Sequence, residues 1–235
     1  MPKPTFFNLP AAKRDRLVSL AIEEFSSKPY RQASLSRIVA AAGIAKGSVY
    51  QYFDNKLDLY TWLVSHEIGR RKMEAIAAVA PPEGSSIWDI VRQAFVGGFA
   101  FAAAEPKLAL LGARFQRESG DPELASIVAA NAAASHAWLL DLLRAGQATG
   151  EVRAGLNLDV AATMLAQTLG EGMLQVFAQA MGVDVATWMT DPSMANRLSP
   201  DEIGALVEDA LDFLRSGLGP ATRPTPPAPS SEPSS

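Results

Sequence analysis

The stretch from residue 34 to residue 60, SLSRIVAAAGIAKGSVYQYFDNKLDLY, constrains this chain more than any other. Leu35, Ile38, Val39 and Ala42 recur at helical spacing and form one apolar face. Ser34 precedes them as an N-cap, its hydroxyl able to accept from a free backbone N–H. Gly43 stands where that helix must stop, because glycine takes the left-handed conformation without steric cost. Ile44 fills the angle before a second helix, expected from Ala45 or Lys46 to about Phe53. Two short helices around a glycine make a helix-turn-helix, in which one helix braces and the next enters a DNA major groove.

On a wheel of about 100° per residue, Val49 and Phe53 fall together and face the core. Gly47, Ser48, Gln51 and Tyr52 point broadly the other way, with Lys46 and Tyr50 on the flank. This outward set is small or hydrogen-bonding and holds no carboxylate, as a surface for phosphates and base edges requires. Ser48 and Gln51 suit base edges or phosphates; Tyr50, Tyr52 and Lys56 suit phosphates. A glycine-centred helix pair also occurs in all-α proteins that bind no DNA. Charge favours the DNA reading. Residues 1–60 hold nine Lys or Arg against five Asp or Glu, and residues 61–235 hold twelve against twenty. A head of net +4 thus sits on a body of net −8.

IAKGSVYQYFDNKLDLY, preceded by SLSRIVAAAG and by a helix ending in EEF, resembles the TetR/AcrR family of transcriptional regulators. The likeness covers about the first 60 residues, and G-S-V-Y-x-Y-F-x-x-K is its most specific part. The resemblance implies a homodimer with two DNA-binding heads on larger all-helical ligand-binding bodies. It implies that Ser34, Ser36, Lys46, Gly47, Ser48, Tyr50, Tyr52 and Lys56 lie at DNA-contacting positions. Gln51 falls at a variable position tied to operator choice.

The rest of the head follows from pattern. Pro10 suits a first helical turn, and Leu17, Ala21 and Phe25 form a stripe, with Leu20 beside it, that should pack on Ile38, Val49 and Phe53. Lys13, Arg14 and Arg16 lie in its first turns. Residues 1–8 are expected to be a loose, frayed arm, with an arm that reaches DNA as the alternative.

The expected fold is all-α. It has a three-helix DNA-binding head over 1–56, a helical ligand-binding and dimerisation body over 57–217, and a Pro/Ser-rich disordered tail over 218–235. Helices are expected over 58–79, 86–104, 106–118, 121–149, about 157–181 and 200–215, with an irregular link over 183–198 that has room for a short turn around Trp188. No apolar run is expected to reach the length of a membrane span, no secretory signal opens the chain, and a cytoplasmic location follows. The absence of cysteine excludes disulfides and thiolate metal sites. His66 and His136, 70 residues apart without a nearby carboxylate cluster, make a weak case for metal, and no cofactor is indicated.

The segment 161–181 is apolar on more than one face, and the last helix offers Ile203, Val207, Leu211, Phe213 and Leu214. The resemblance implies that two such helices from each subunit form a four-helix dimer interface, matching palindromic half-sites; alternatively both face the internal core. Phe95, Phe99, Leu111, Phe115, Trp138 and Gln167 are candidates to line a pocket for a hydrophobic effector. The expected function is a ligand-responsive regulator, a repressor released by its effector. A constitutive DNA-binding protein is the alternative. An enzyme is the third reading, and no G-x-S-x-G elbow, phosphate loop or H-E-x-x-H supports it.

Overall fold

The computed structural model describes residues 1–45, 47–78 and 84–219. Every regular element among them is helical. In the head these are α1 (Pro4–Phe7), α2 (Ala11–Ser27), a 3-10 turn (Tyr30–Gln32), α3 (Leu35–Ala42) and a second 3-10 turn (Ser48–Gln51). Ser34 caps α3 by accepting from the Arg37 N–H, and Gly43 ends it at φ +69°. Phe25, Ala21, Ile38, Val49 and Phe53 are each at most 1% exposed. Each large side chain buried this way contributes about 1.5–3 kcal/mol.

Two expectations for the head are corrected. The reading helix after Gly43 is a single 3-10 turn, not a helix to Phe53. Its glycine, serine, β-branched valine and tyrosines are all weak helix formers. Residues 1–8 are docked: Phe6 is 1% exposed and packs its ring 5.0 Å from Phe53 and 5.1 Å from Trp62. That burial outweighs the cost of ordering a short terminus.

One long helix leaves the head as α4 (Lys56–Trp62), passes through a π-turn (Leu63–Glu67) and continues as α5 (Ile68–Ala77). The π-turn is held by Glu67, 6% exposed, which accepts from Arg70 and Arg71 at 2.7 Å each. Arg71 also reaches Glu105 at 2.5 Å, tying this long head-to-body helix, the lever, to the end of α6 (Ile87–Ala104). The remaining body comprises α7 (Pro106–Arg117), α8 (Ala125–Thr149), α9 (Leu158–Gln167), α10 (Met173–Ala180), α11 (Val185–Thr190) and α12 (Pro200–Leu218). Capping boxes at Ser86/Asp89 and Ser199/Glu202 start α6 and α12.

The helix expected over 157–181 is interrupted by a π-turn, Thr168–Gly172, in which Gly170 leaves helical geometry. The link expected to be irregular holds α11 and a 3-10 turn, Pro192–Arg197, around the fully buried Trp188. Residues 87–104 and 125–149 each contain a window of mean hydropathy 1.2 long enough to cross a membrane, contrary to expectation. In the fold α6 packs against α5 and α12, and α8 against α9. The Pro/Ser-rich tail beyond residue 219 and the expected helix end at Val79 lie outside the described residues.

Candidate nucleic-acid interface and helical body

The 3-10 turn hangs from Val49 and Phe53, which anchor it in the head core. Gly47, Tyr50 and Gln51 are exposed and Ser48 and Tyr52 half-buried, with Tyr50 48% accessible. Apart from its chain neighbours, no described residue lies within 4 Å of the position a side chain would take at Gly47, so the backbone there is open to a close approach. Ser36 is exposed on α3. Ser34 is occupied locally: its N–H donates to Glu24 at 2.8 Å and its hydroxyl serves the cap. Lys46 lies outside the described residues.

Lys56 departs from its expected role. Its ammonium donates to the carbonyls of Tyr30 at 2.8 Å and Ala33 at 3.2 Å and sits 4.2 Å from the Tyr30 ring centre. It therefore pins the α2–α3 loop instead of facing outward. The carbonyls supply partners that a surface lysine would otherwise seek in phosphate or water.

Glu24 organises the same loop from below. Burial alone would raise its pKa, but hydrogen bonds from Arg37, the Ser34 N–H and Lys28 outweigh that and hold it at about 2. The carboxylate is thus a fixed anion joining α2 to the start of α3. Arg37 is committed to it at 2.9 Å through Nε.

The head is fastened to the body at the end of α7. Glu118 accepts from the Tyr30 N–H and from the Tyr60 hydroxyl, both at 2.9 Å. Arg31 pairs with Asp121 at 2.7 Å, and Lys107 pairs with Glu23. Burial, then the Glu118 charge, pushes the Tyr60 hydroxyl far above its ordinary range, so it remains a donor. Sequence patterning missed Glu118 because its partners lie 58 and 88 residues away.

In the body Phe95, Phe99, Leu111 and Phe115 are buried. Phe99 packs 4.8 Å from Phe177 and 5.4 Å from Trp188. Trp138 is 51% exposed on α8 and Gln167 is exposed beside α12, so neither lines that interior. Both occupy helix faces turned outward, a distinction that residue type alone does not make. Among the described residues two interior donors lack partners: one Arg114 guanidinium nitrogen and the Trp188 indole N–H. Lys72 forms no hydrogen bond or ion pair among the described residues, and desolvation lowers its pKa. Between α10 and α12 runs an open groove of about 560 Å³ lined by Gln167, Met173, Val176, Ala210 and Phe213. Phe213 is 77% exposed there, and Met164 on α9 is 67% exposed.

Residues 17–61 match the family described as bacterial regulatory proteins, tetR family. The fatty acid metabolism regulator protein of Bacillus subtilis is 25% identical over 221 residues, covering 86% of this chain and 94% of that protein. A TetR family transcriptional regulator from Chloroflexus aurantiacus superposes with a TM-score of 0.68 at 28% identity, covering 93% of this chain and 98% of the other. The transcriptional regulator FadR from Bacillus subtilis, solved in complex with stearoyl-CoA, shares the fold with a TM-score of 0.65. It is 23% identical, over 87% of this chain and 98% of its own.

Proposed function

Since the chain belongs to the tetR family of bacterial regulatory proteins, we propose that it is a dimeric repressor that binds a palindromic operator and leaves it when an acyl-type ligand enters the body. The observation that carries the DNA reading is the carboxylate-free turn at Gly47, Ser48, Tyr50 and Gln51, held out by buried Val49 and Phe53. In this reading Gln51 and Ser48 meet base edges, and Tyr50, Tyr52, Ser36 and Lys46 meet phosphates. The head of residues 1–56 reads DNA, and the body of 57–217 binds the effector and the second subunit. A DNA-binding regulator works beside the chromosome, so the cytoplasm is the proposed location.

An acyl-type effector is supported by the likeness to a Bacillus subtilis protein named a fatty acid metabolism regulator and to a Bacillus subtilis regulator solved with stearoyl-CoA. The aromatic interior of Phe99, Phe177 and Trp188 supplies matching apolar surface. The unpaired donors of Arg114 and Trp188, with Lys72, supply hydrogens for a carbonyl, carboxylate or phosphate. The face bearing Met164, Val176 and Phe213 is the proposed dimer interface. Release is a population shift: the effector must bind better to the body shape that holds the heads wrongly spaced for DNA.

The test is to select duplexes from a random library with the purified protein, then titrate the winner by anisotropy with fatty acids and acyl-CoAs of graded length. Selection of a palindrome that one acyl class releases is the expected result. Selection of no sequence would overturn the DNA reading, and an operator released by none of these ligands would overturn the acyl assignment.

A further inference from the structure

The reading turn is short, and no helix continues from it to tie up its last carbonyl groups. The amides that would serve them are engaged elsewhere: the Phe53 N–H donates to Val49 at 2.9 Å and the Asp54 N–H to the Asp58 carboxylate at 3.1 Å. Residues from the opposite end of the head take their place. The Lys3 N–H donates to the Tyr52 carbonyl at 2.8 Å, and the Lys3 ammonium donates to the Tyr50 carbonyl at 2.8 Å. The Thr5 hydroxyl donates to the Gln51 carbonyl. Phe6, one residue on, is wedged against Phe53 and Trp62. The carbonyls of three successive residues, the last two of the reading turn and Tyr52 that follows it, are thus capped by two residues of the arm.

We propose that Lys3 and Thr5 are positioning residues for DNA recognition, holding the Tyr50–Tyr52 backbone so that Gln51 and its neighbours meet base edges in one fixed geometry. This rests on the DNA reading of the turn. Lys3 does not act by attracting phosphate, because its ammonium is already bound to the Tyr50 carbonyl and, at 2.8 Å, to the Asp54 carboxylate. An ammonium so paired presents little net charge to a passing strand. A 3-10 turn has poorer hydrogen-bond geometry than an α-helix, so its side chains need outside support to keep one direction.

Positioning and phosphate contact leave different signatures. A phosphate contact contributes equally to every sequence, and its removal lowers the slope of log affinity against log salt by about one. Loss of a positioning contact lowers affinity for the operator, spares binding to unrelated DNA and leaves the slope unchanged. The experiment compares the full chain with Lys3→Ala/Thr5→Ala and Lys3→Arg. Each is titrated against the selected operator and a scrambled duplex across a salt series, with a thermal melt to verify folding. The expected result for the double variant is an operator affinity about tenfold weaker, the size of one or two lost hydrogen bonds. Its scrambled-duplex affinity and salt slope should match the wild type, and Lys3→Arg, which keeps the cation for Tyr50 and Asp54, should recover most of the loss. Equal losses on both duplexes with a shallower slope would make Lys3 a phosphate contact and overturn the proposal, as would unchanged operator affinity. A wild type that prefers no duplex would remove the DNA reading and this inference with it.

Discussion

The Tyr60 hydroxyl donates to Glu118 at 2.9 Å, joining the first turns of the lever to the end of α7. The other oxygen of the same carboxylate accepts the Tyr30 N–H of the head. A movement of α7 would therefore pull on head and lever together. Tyr60→Phe deletes one bond and leaves a half-satisfied carboxylate. It should lower stability by about 1.5–3 kcal/mol and shrink the factor by which effector weakens operator binding. Denaturant melts and paired anisotropy titrations measure both. An unchanged effector factor would reduce the bond to a structural role.

Acid should loosen the head through Glu24. Its folded pKa of about 2 lies below the ordinary 4.5. The resulting stability is fully present above pH 4.5 and is lost as pH falls through the window down to about 2. The contribution is on the order of 1–3 kcal/mol, taking 1.36 kcal/mol per unit as an upper scale. Glu24→Gln should remove it at neutral pH and flatten the acid limb of the stability curve. A variant with the wild-type acid limb would place the acid sensitivity elsewhere.

What could be read in advance was local. Ser34, Ser86, Asn157 and Ser199 each cap a helix by bonding an N–H three residues on, so seven or eight residues of sequence carry the signal. The apolar face of α3 and the stripe on α2 were legible by periodicity. The docking of Phe6 on Trp62, the capture of Lys56 by Tyr30 and Ala33, and the Glu118 clamp were not. Each joins residues more than 20 apart, and no period or propensity encodes such a pairing. Trp138 illustrates the same gap: an aromatic residue in an alanine-rich helix suggests an interior, but only the packing of α8 shows it facing out.

Phe213 lies 77% exposed beside Val176 in the groove between α10 and α12. Large exposed apolar surface of this kind is what protein interfaces present. Phe213→Asp should convert the proposed dimer to a monomer in sedimentation at micromolar concentration and reduce operator affinity by at least tenfold, or about 1.4 kcal/mol. The thermal transition of the isolated body should persist. A dimer undiminished by the aspartate would move the interface to another face.

Lys72 stands one turn from both Ile68 and Ile76 on α5, and those isoleucines meet Gly112 and Gly97. Desolvation lowers its pKa below the ordinary 10.5. The fold therefore favours the neutral amine, and stability should rise with pH from the folded pKa up to 10.5. Lys72→Met removes the desolvation cost and should raise the melting temperature at pH 7 while weakening the response to carboxylate or phosphate effectors more than to a fatty alcohol. Calorimetry across pH 7–10 and effector titrations test the two halves separately. A lower melting temperature would contradict the desolvation account.

Two adjacent glycines on α6 should respond to alanine with opposite signs. A Cβ at Gly97 would stand 2.7 Å from the Cα of Ile76, a backbone atom that cannot move without separating α5 from α6. At Gly98 no described residue outside the helix's own adjacent turns lies within 4 Å. Alanine in a helix gains about 0.8–1 kcal/mol over glycine, and at Gly98 nothing opposes that gain. At Gly97 the overpacking cost of about 1–3 kcal/mol is larger, and the α5–α6 contact carries the lever through the Arg71–Glu105 pair. Gly98→Ala should therefore raise the denaturation midpoint. Gly97→Ala should lower it and also change operator affinity, because the lever sets the position of the head. Equal midpoints for the two variants would mean that α5 and α6 are not in contact at Ile76.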